Sequence, residues 1–255
     1  MLDDVGRAIL VQQSFTTNRY RNRFDIILPA LPRLVHQTQP VWKTYPSMVP
    51  ITRKYLVSFH GEYKTVAGGA HGARNAASLQ PRLIESLAGL ENSGTKDQFS
   101  IALQCKERSF EVIDQDWYLC DKEEDRLDTL EQSTFSLVIG SDNSSVVHSR
   151  SFLARLLESL QSGSIPVILG TAEPDLPLAE LLDWTRFAII IPTARLPELH
   201  FLLRTFTYAD IFALKRQVII GRFCCCFWHF LIGRVHQISI LLCKVTLNVK
   251  RKLKS

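Results

Sequence analysis

Short apolar runs alternate with amphipathic segments along most of this 255-residue chain. The apolar runs, which predict buried strands, lie within 24–35, 54–59, 99–105, 135–140, 165–169 and 187–191. Apolar residues at helical spacing predict helices over 81–90, 122–132, about 178–184, 197–206 and 208–217. Because strands and helices alternate, and several strands lack polar residues, the pattern predicts an α/β fold with a parallel sheet covered on both faces.

A further helix is predicted between Ser149 and Gly163, directly before a strand. Its apolar side chains form one stripe, which consists of Phe152, Leu153, Leu156, Leu157 and Leu160. Ser149 is the candidate N-cap and Gly163 the candidate residue that ends the helix. Asp121 and Glu124 have the spacing of a capping box, which predicts that the helix over 122–132 begins there.

The charge of the chain is concentrated at its end. The formal net charge is +5, and it equals the charge of five residues in the last twelve: Lys244, Lys250, Arg251, Lys252 and Lys254. The rest of the chain holds as many basic as acidic side chains, 25 of each. A neutral body argues against a broad surface that tracks phosphates, so we expect no nucleic-acid partner.

Residues 218–255 depart from the pattern of the preceding chain. No Asp or Glu occurs from Ile211 onward, and 218–243 is strongly apolar. Arg222 and Arg234 leave only 11 uncharged residues between them, fewer than the ~20 that a membrane span needs. Two interpretations stay open, a membrane-associated helix or a non-native terminus. The start of the chain lacks the features of a signal peptide, which indicates a cytosolic protein or a fragment.

Two cysteines lie in ordinary globular sequence. Cys105 and Cys120 are separated by 14 residues, and they are either a disulfide, worth roughly 3 kcal/mol in the chain-entropy model, or two buried free thiols. No grouping of Cys and His has the spacing of a zinc finger. The sequence therefore predicts no metal site.

The loop over 140–149 precedes a helix and follows a strand, which is where ligands bind in open parallel sheets. Free backbone N–H groups at the helix start favour an anion such as a diphosphate, and Arg150 adds a cation. Glu158 and Arg155 share a helix face. Glu158 is either a carboxylate that accepts ribose hydroxyls or one partner of a surface salt bridge with Arg155. His148 is the nearest candidate for a general base.

Several ordered motifs resemble known glycosyltransferases. LESLQSGSIPVILG is similar to a signature of enzymes with two Rossmann-like halves, the GT-B fold. Longer stretches resemble the exostosin family, closest to the exostosin-like branch that initiates heparan sulfate chains. These stretches are GRAILVQQSFTTNRYRNRFDIILP, RKYLVSFHGE, STFSLVIG, RLLESLQSGSIPVILG, LPLAELLDW and ELHFLLRTFTYADIFALKRQ. The resemblance covers most of 6–217.

The resemblance implies a function and a setting. Residues 6–217 would be a partial exostosin domain and 133–217 its nucleotide-sugar-binding half, with Ser149, Arg150, Arg155 and Glu158 at the nucleotide. The donor would be a UDP-sugar, without a further cofactor, and the acceptor a growing heparan sulfate chain that receives glucuronic acid or N-acetylglucosamine. Full-length relatives lie in the membrane of the endoplasmic reticulum and Golgi. Their oxidising lumen favours a Cys105–Cys120 disulfide.

The chain also departs from the family pattern. The family's N-terminal anchor and its second domain with the Asp-x-Asp metal site have no counterpart in this sequence, so we expect the chain to be a fragment. The loop GSDNSSVVHS has no arginine before Arg150, and it contains the sequon of Asn143, which is either glycosylated or a chance match. These departures keep open an alternative function, a non-catalytic module that serves as a folding platform or as a site of homo- or hetero-dimerisation with exostosin-family proteins.

Overall fold

The computed structural model describes residues 9–13, 15–22, 24–28, 46–63, 79–92, 99–106, 117–140, 147–170, 175–179 and 182–232. The strands are β1 (Val11–Gln12), β2 (Ile26–Ile27), β3 (Tyr55–Tyr63), β4 (Phe99–Ala102), β5 (Trp117–Leu119), β6 (Ser133–Ile139), β7 (Ile165–Gly170) and β8 (Ile189–Pro192). The α-helices are α1 (Leu79–Asn92), α2 (Glu123–Glu131), α3 (Arg150–Ser162), α4 (Leu199–Arg204) and α5 (Tyr208–Ile232).

The main sheet is parallel in the order β4-β3-β6-β7-β8. Strand β5 adds one antiparallel pairing, with the carboxyl end of β3. Every residue of β6 is buried, and so is β7 up to Leu169, as expected for a sheet that helices cover on both faces. This arrangement confirms the predicted α/β fold and is consistent with a Rossmann-like half of a GT-B glycosyltransferase. The short strands β1 and β2 pair in parallel, separately from this sheet.

The order of the strands reverses direction beside β3. From β3 the chain moves to β4 on one side of the sheet, and it then returns to β6 on the other side. In open α/β sheets such a reversal leaves a crevice outside the carboxyl ends of the two strands, where ligands bind. The topology therefore places the expected ligand crevice between β3 and β6.

Helix α3 has the ends that its sequence predicts. The Ser149 hydroxyl accepts a hydrogen bond from the backbone N–H of Phe152 at 3.2 Å, which confirms the N-cap. Gly163 ends the helix with φ 68°, and a Cβ there would lie 2.7 Å from the Cβ of Pro46. Glycine is therefore required both by the left-handed backbone and by the close approach of Pro46.

Two local predictions are wrong. Helix α2 has Lys122 at its N-cap and no side-chain cap, because Asp121 takes a left-handed φ of 62° instead of forming a capping box. Leu178 also has a positive φ, 55°, and in place of the helix at 178–184 a 3₁₀ turn covers Trp184–Arg186. The strand predicted within 24–35 is confirmed as the two-residue β2, and 29–35 lie outside the described residues.

Helix α5 begins at Tyr208 as predicted but runs unbroken to Ile232, past the end predicted at 217. None of the helices in the described ranges is long and apolar enough to cross a membrane. The structure thus places the first part of the apolar segment in a continuous helix with the preceding family-like sequence.

Arg53 joins the carboxyl ends of α2 and α3 to the start of β6. Its guanidinium donates to the carbonyl oxygens of Leu130 at 3.0 Å, Ser133 at 3.1 Å and Ser162 at 2.9 Å. Carbonyls in the last turn of a helix have no partner inside it, and a cation there also complements the helix dipole. Arg53 therefore fixes α2 and α3 side by side against the two strands of the crevice.

Candidate functional site

A small cavity lies between the two strands that flank the crevice and the two helices that Arg53 joins. Its lining comes from β3, β6, α2 and α3, and includes Ser58, His60, Arg126, Ser136, Arg155 and Glu158. The space open to the centre of a water-sized sphere is about 30 Å³, which holds roughly two water molecules. The cavity brings together the predicted Arg155 and Glu158, together with Arg126, which the sequence analysis missed.

Glu158 pairs with Arg126 rather than with Arg155. Arg126 Nη2 lies 2.6 Å from Glu158 Oε1, and Arg126 Nε lies 3.1 Å from Oε2. The side chains of Arg126 and Glu158 are only 10% and 7% exposed. Of the two alternatives for Glu158, the surface salt bridge with Arg155 is therefore wrong, since the carboxylate is buried in a two-pronged pair with a residue of α2.

Arg126 also has partners on the other side of its guanidinium. Its Nη1 donates to the carbonyl oxygens of Cys120 at 3.2 Å and Asp121 at 2.7 Å. Burial lowers the pKa of Arg126, but the hydrogen bond and the charge of Glu158 outweigh burial, so the pKa is raised. The guanidinium is thus charged at neutral pH, and the left-handed Asp121 aims its carbonyl at it.

Arg155 crosses the end of β3. Its Nη2 donates to the carbonyl oxygens of His60 at 3.2 Å and Tyr118 at 2.7 Å, and its guanidinium lies 5.0 Å from the centre of the Phe59 ring. Burial lowers its pKa to about 10, which still leaves it charged at neutral pH. Its Nη1 is buried without a hydrogen-bond partner among the described residues.

Gly61 leaves the space that Arg155 occupies. A Cβ at Gly61 would clash with Arg155 Nη2 and lie 2.9 Å from the Phe59 ring. We expect Gly61→Ala to lower the free energy of unfolding by about 1–3 kcal/mol, the usual cost of overpacking. Gly89 in α1 has no neighbour within 4 Å of such a Cβ, so Gly89→Ala is the control and should raise stability by about 0.5–1 kcal/mol. Urea unfolding of both variants checks this, and equal effects would contradict the packing argument.

The other predicted residues lie at the start of α3. His148 is buried, and its Nε2–H donates to the carbonyl of Asp175 while its ring stacks on Phe152 with centroids 4.4 Å apart. Burial lowers its pKa to about 4, so the imidazole is neutral at neutral pH, and its role as a general base stays a prediction. The Ser149 hydroxyl is occupied by the helix cap, and Arg150 is exposed.

Two further predictions concern covalent modification. The structure joins Cys105 to Cys120 by a disulfide, with an S–S distance of 2.03 Å. Asn143 lies in 141–146, outside the described residues, as does most of the loop at 140–149. No group of three metal-ligating side chains comes together within the described part of the chain.

Comparison with known proteins identifies the family. The model of the Exostosin GT47 domain matches residues 1–206. An exostosin-like-3 homolog of Caenorhabditis elegans is 37% identical over 36% of this chain and 10% of its own length. Exostosin-1 of Drosophila melanogaster is 30% identical over 84% of this chain and 26% of its own length. Human exostosin-like 1 is 28% identical over 84% of this chain and 25% of its own length.

The chain thus spans about a quarter of the length of the last two relatives. The family match covers the main sheet, the cavity, and Glu158 with both of the arginines beside it. Because the family model covers most of the chain, and its motifs coincide with β6, α3 and β7, the protein belongs to the exostosin family and carries its GT47 domain.

Proposed function

We propose that the chain is the exostosin domain of a glycosyltransferase of heparan sulfate synthesis. In this proposal the domain binds a UDP-sugar at the carboxyl ends of β3, β6 and β7, and Glu158 accepts the ribose hydroxyls. The complete protein transfers glucuronic acid or N-acetylglucosamine to the glycan acceptor at the membrane of the endoplasmic reticulum and Golgi. Family membership supports the reaction class, and the motif that contains Glu158 supports the role of that residue.

The position of Glu158 carries this proposal. Its carboxylate lines the cavity at the crevice between β3 and β6, where the strand order reverses. Arg126 occupies only part of this carboxylate, because a carboxylate has about four acceptor positions across its two oxygens. The remaining positions suit hydroxyl donors such as those of a ribose.

The size of the cavity adds a condition. About 30 Å³ is far too little for a ribose, so a nucleotide must widen the cavity as it binds. Such widening, in which binding energy drives a rearrangement, is a familiar form of ligand binding. We therefore expect UDP to bind slowly relative to diffusion, because binding requires this conformational change.

The small cavity also favours a second candidate function. Arg126 already fills much of the hydrogen-bonding capacity of the Glu158 carboxylate, and the space beside it holds about two waters. Both features suit a domain that keeps its fold without binding a nucleotide. Such a domain would act as a folding or dimerisation platform for the rest of the protein. The same experiment distinguishes this candidate from the first.

Calorimetric titration of the purified chain with UDP tests the proposal. We expect measurable binding to the wild type and an affinity at least tenfold lower in Glu158→Gln, because a hydrogen bond to a charged group contributes about 1.5–3 kcal/mol. Glu198→Gln, which changes an exposed glutamate paired with Arg195, is the matched control and should bind normally. Glu158→Asp keeps the charge and covers the case in which the glutamine variant fails to fold. An absence of heat with the wild type would favour the platform.

A further inference from the structure

The two arginines that surround Glu158 share one anchor. Arg155 donates to the carbonyl of Tyr118, and Arg126 donates to the carbonyls of Cys120 and Asp121. All three acceptors are backbone atoms in one stretch of four residues. We call 117–121, which comprises β5 and the two residues after it, the anchor segment.

The anchor segment has little secondary structure to hold it. Strand β5 has three residues, and among the described residues it pairs with β3, through Trp117, Tyr118 and Leu119. Cys120 adds a single isolated bridge. Cys120 and Asp121 lie beyond that pairing, although their carbonyls are the ones that receive Arg126. So short an edge pairing is weak by itself.

The disulfide supplies the missing constraint. Cys120 is fully buried and bonded to Cys105, which follows β4. The backbone N–H of Cys105 donates in turn to Glu62 Oε2 of β3 at 3.2 Å. The end of the anchor segment is thus fixed covalently to a residue that is itself held at β3.

We propose that the anchor segment, fastened by the Cys105–Cys120 disulfide, positions Arg126 and through it the carboxylate of Glu158 for the nucleotide. Arg126 is a positioning residue in this account, because it acts on the ligand through the Glu158 carboxylate that it holds. The inference rests on the proposed function, since it assigns Arg126 and the disulfide to nucleotide binding. It differs from a general stabilising role, because the disulfide acts on one identified guanidinium.

The geometry explains why an arginine is needed. One side of the Arg126 fork, Nη1, reaches the anchor segment, while Nε and Nη2 reach Glu158. The planar guanidinium therefore transmits the position of the backbone carbonyls directly to the carboxylate. A lysine would retain the charge but would lack the second set of donors that makes the connection rigid.

Two readouts on the whole chain test this inference. Nuclear magnetic resonance follows the exchange of the Arg126 Nε proton, which is protected by Glu158, and calorimetry gives the affinity for UDP. We compare the wild type with Arg126→Lys and with the double variant Cys105→Ser/Cys120→Ser. We expect the double variant to exchange this proton at least tenfold faster and both variants to bind UDP about tenfold more weakly. We also expect the triple variant, which combines Arg126→Lys with Cys105→Ser and Cys120→Ser, to bind UDP no more weakly than Arg126→Lys. All three changes act on the same connection between the anchor segment and Glu158.

Controls separate this inference from the proposed function. If the wild type fails to bind UDP, the proposed function is wrong, and so is the part of this inference that concerns nucleotide binding. The exchange of the Arg126 Nε proton still shows whether the disulfide holds Arg126 against Glu158. If UDP binds normally but the double variant keeps both the slow exchange and the affinity, only the anchor is wrong. Reduction of the folded wild type by dithiothreitol repeats the test without a variant that has to fold. Reduction should speed the exchange of the Arg126 Nε proton and weaken UDP binding, and reoxidation should reverse both effects.

Discussion

Replacement of Arg126 by alanine is expected to lower the free energy of unfolding by about 3–5 kcal/mol. The variant leaves the Glu158 carboxylate, 7% exposed, without its charged partner, and the cost of an uncompensated buried charge is of this size. It also leaves the carbonyls of Cys120 and Asp121 without the Arg126 hydrogen bonds. Urea unfolding of the variant and the wild type gives the difference.

An exposed pair of the same chemistry provides the control. Arg195 and Glu198 are 3.0 Å apart, and their side chains are 52% and 58% exposed. Arg195→Ala should change stability by less than about 1 kcal/mol, because water screens such pairs. If Arg126→Ala costs no more than Arg195→Ala, the buried pair does not hold α2 and α3 together in the way that its geometry indicates.

Acidification from pH 7 to pH 4 is expected to remove roughly 3 kcal/mol of stability through His148 alone. Burial lowers the pKa of His148 to about 4, whereas an exposed histidine in the unfolded chain titrates near ~6.5. The unfolded state therefore binds the proton first as the pH falls. The stabilisation is fully present above pH ~6.5 and is lost as the pH falls towards 4.

A glutamine at this position isolates the effect. The His148→Gln variant retains a side-chain N–H donor for the carbonyl of Asp175, but its amide does not titrate. The stability of the wild type minus that of the variant should fall by about 3 kcal/mol between pH 7 and pH 4. The contributions of the carboxylates, which both proteins share, cancel in this difference. A constant difference across this range would show that His148 does not remain neutral in the folded protein.

Local signals in the sequence account for most of the fold. The apolar stripe of α3, the cap at Ser149 and the glycine at 163 lie within one short segment, so their pattern alone defines the helix. The apolar run of β7 likewise identifies a buried parallel strand. Strand β5 escapes prediction because three residues are too few to show a period. The helix predicted at 178–184 fails because the positive φ of Leu178 depends on a tertiary contact, its hydrogen bond to Ile27.

The candidate site could be predicted only in part. The motif identifies Glu158, but its partner Arg126 lies 32 residues earlier in the chain and has no local spacing that points to Glu158. The shared helix face leaves a pair between Arg155 and Glu158 as one of two alternatives. The structure turns Arg155 towards β3 and β5 instead, because the absence of a side chain at Gly61 leaves room there. Such choices depend on which elements meet in the fold, which the helical spacing cannot report.

The most direct test of the central claim changes the ligand and leaves the protein intact. If Glu158 accepts the ribose hydroxyls, calorimetry should show that 2′-deoxy-UDP binds the wild type about tenfold to a hundredfold more weakly than UDP, which corresponds to one hydrogen bond to a charged group. The Glu158→Gln variant should distinguish the two nucleotides much less. Equal affinities of the wild type for UDP and 2′-deoxy-UDP, or no binding of either, would contradict the account.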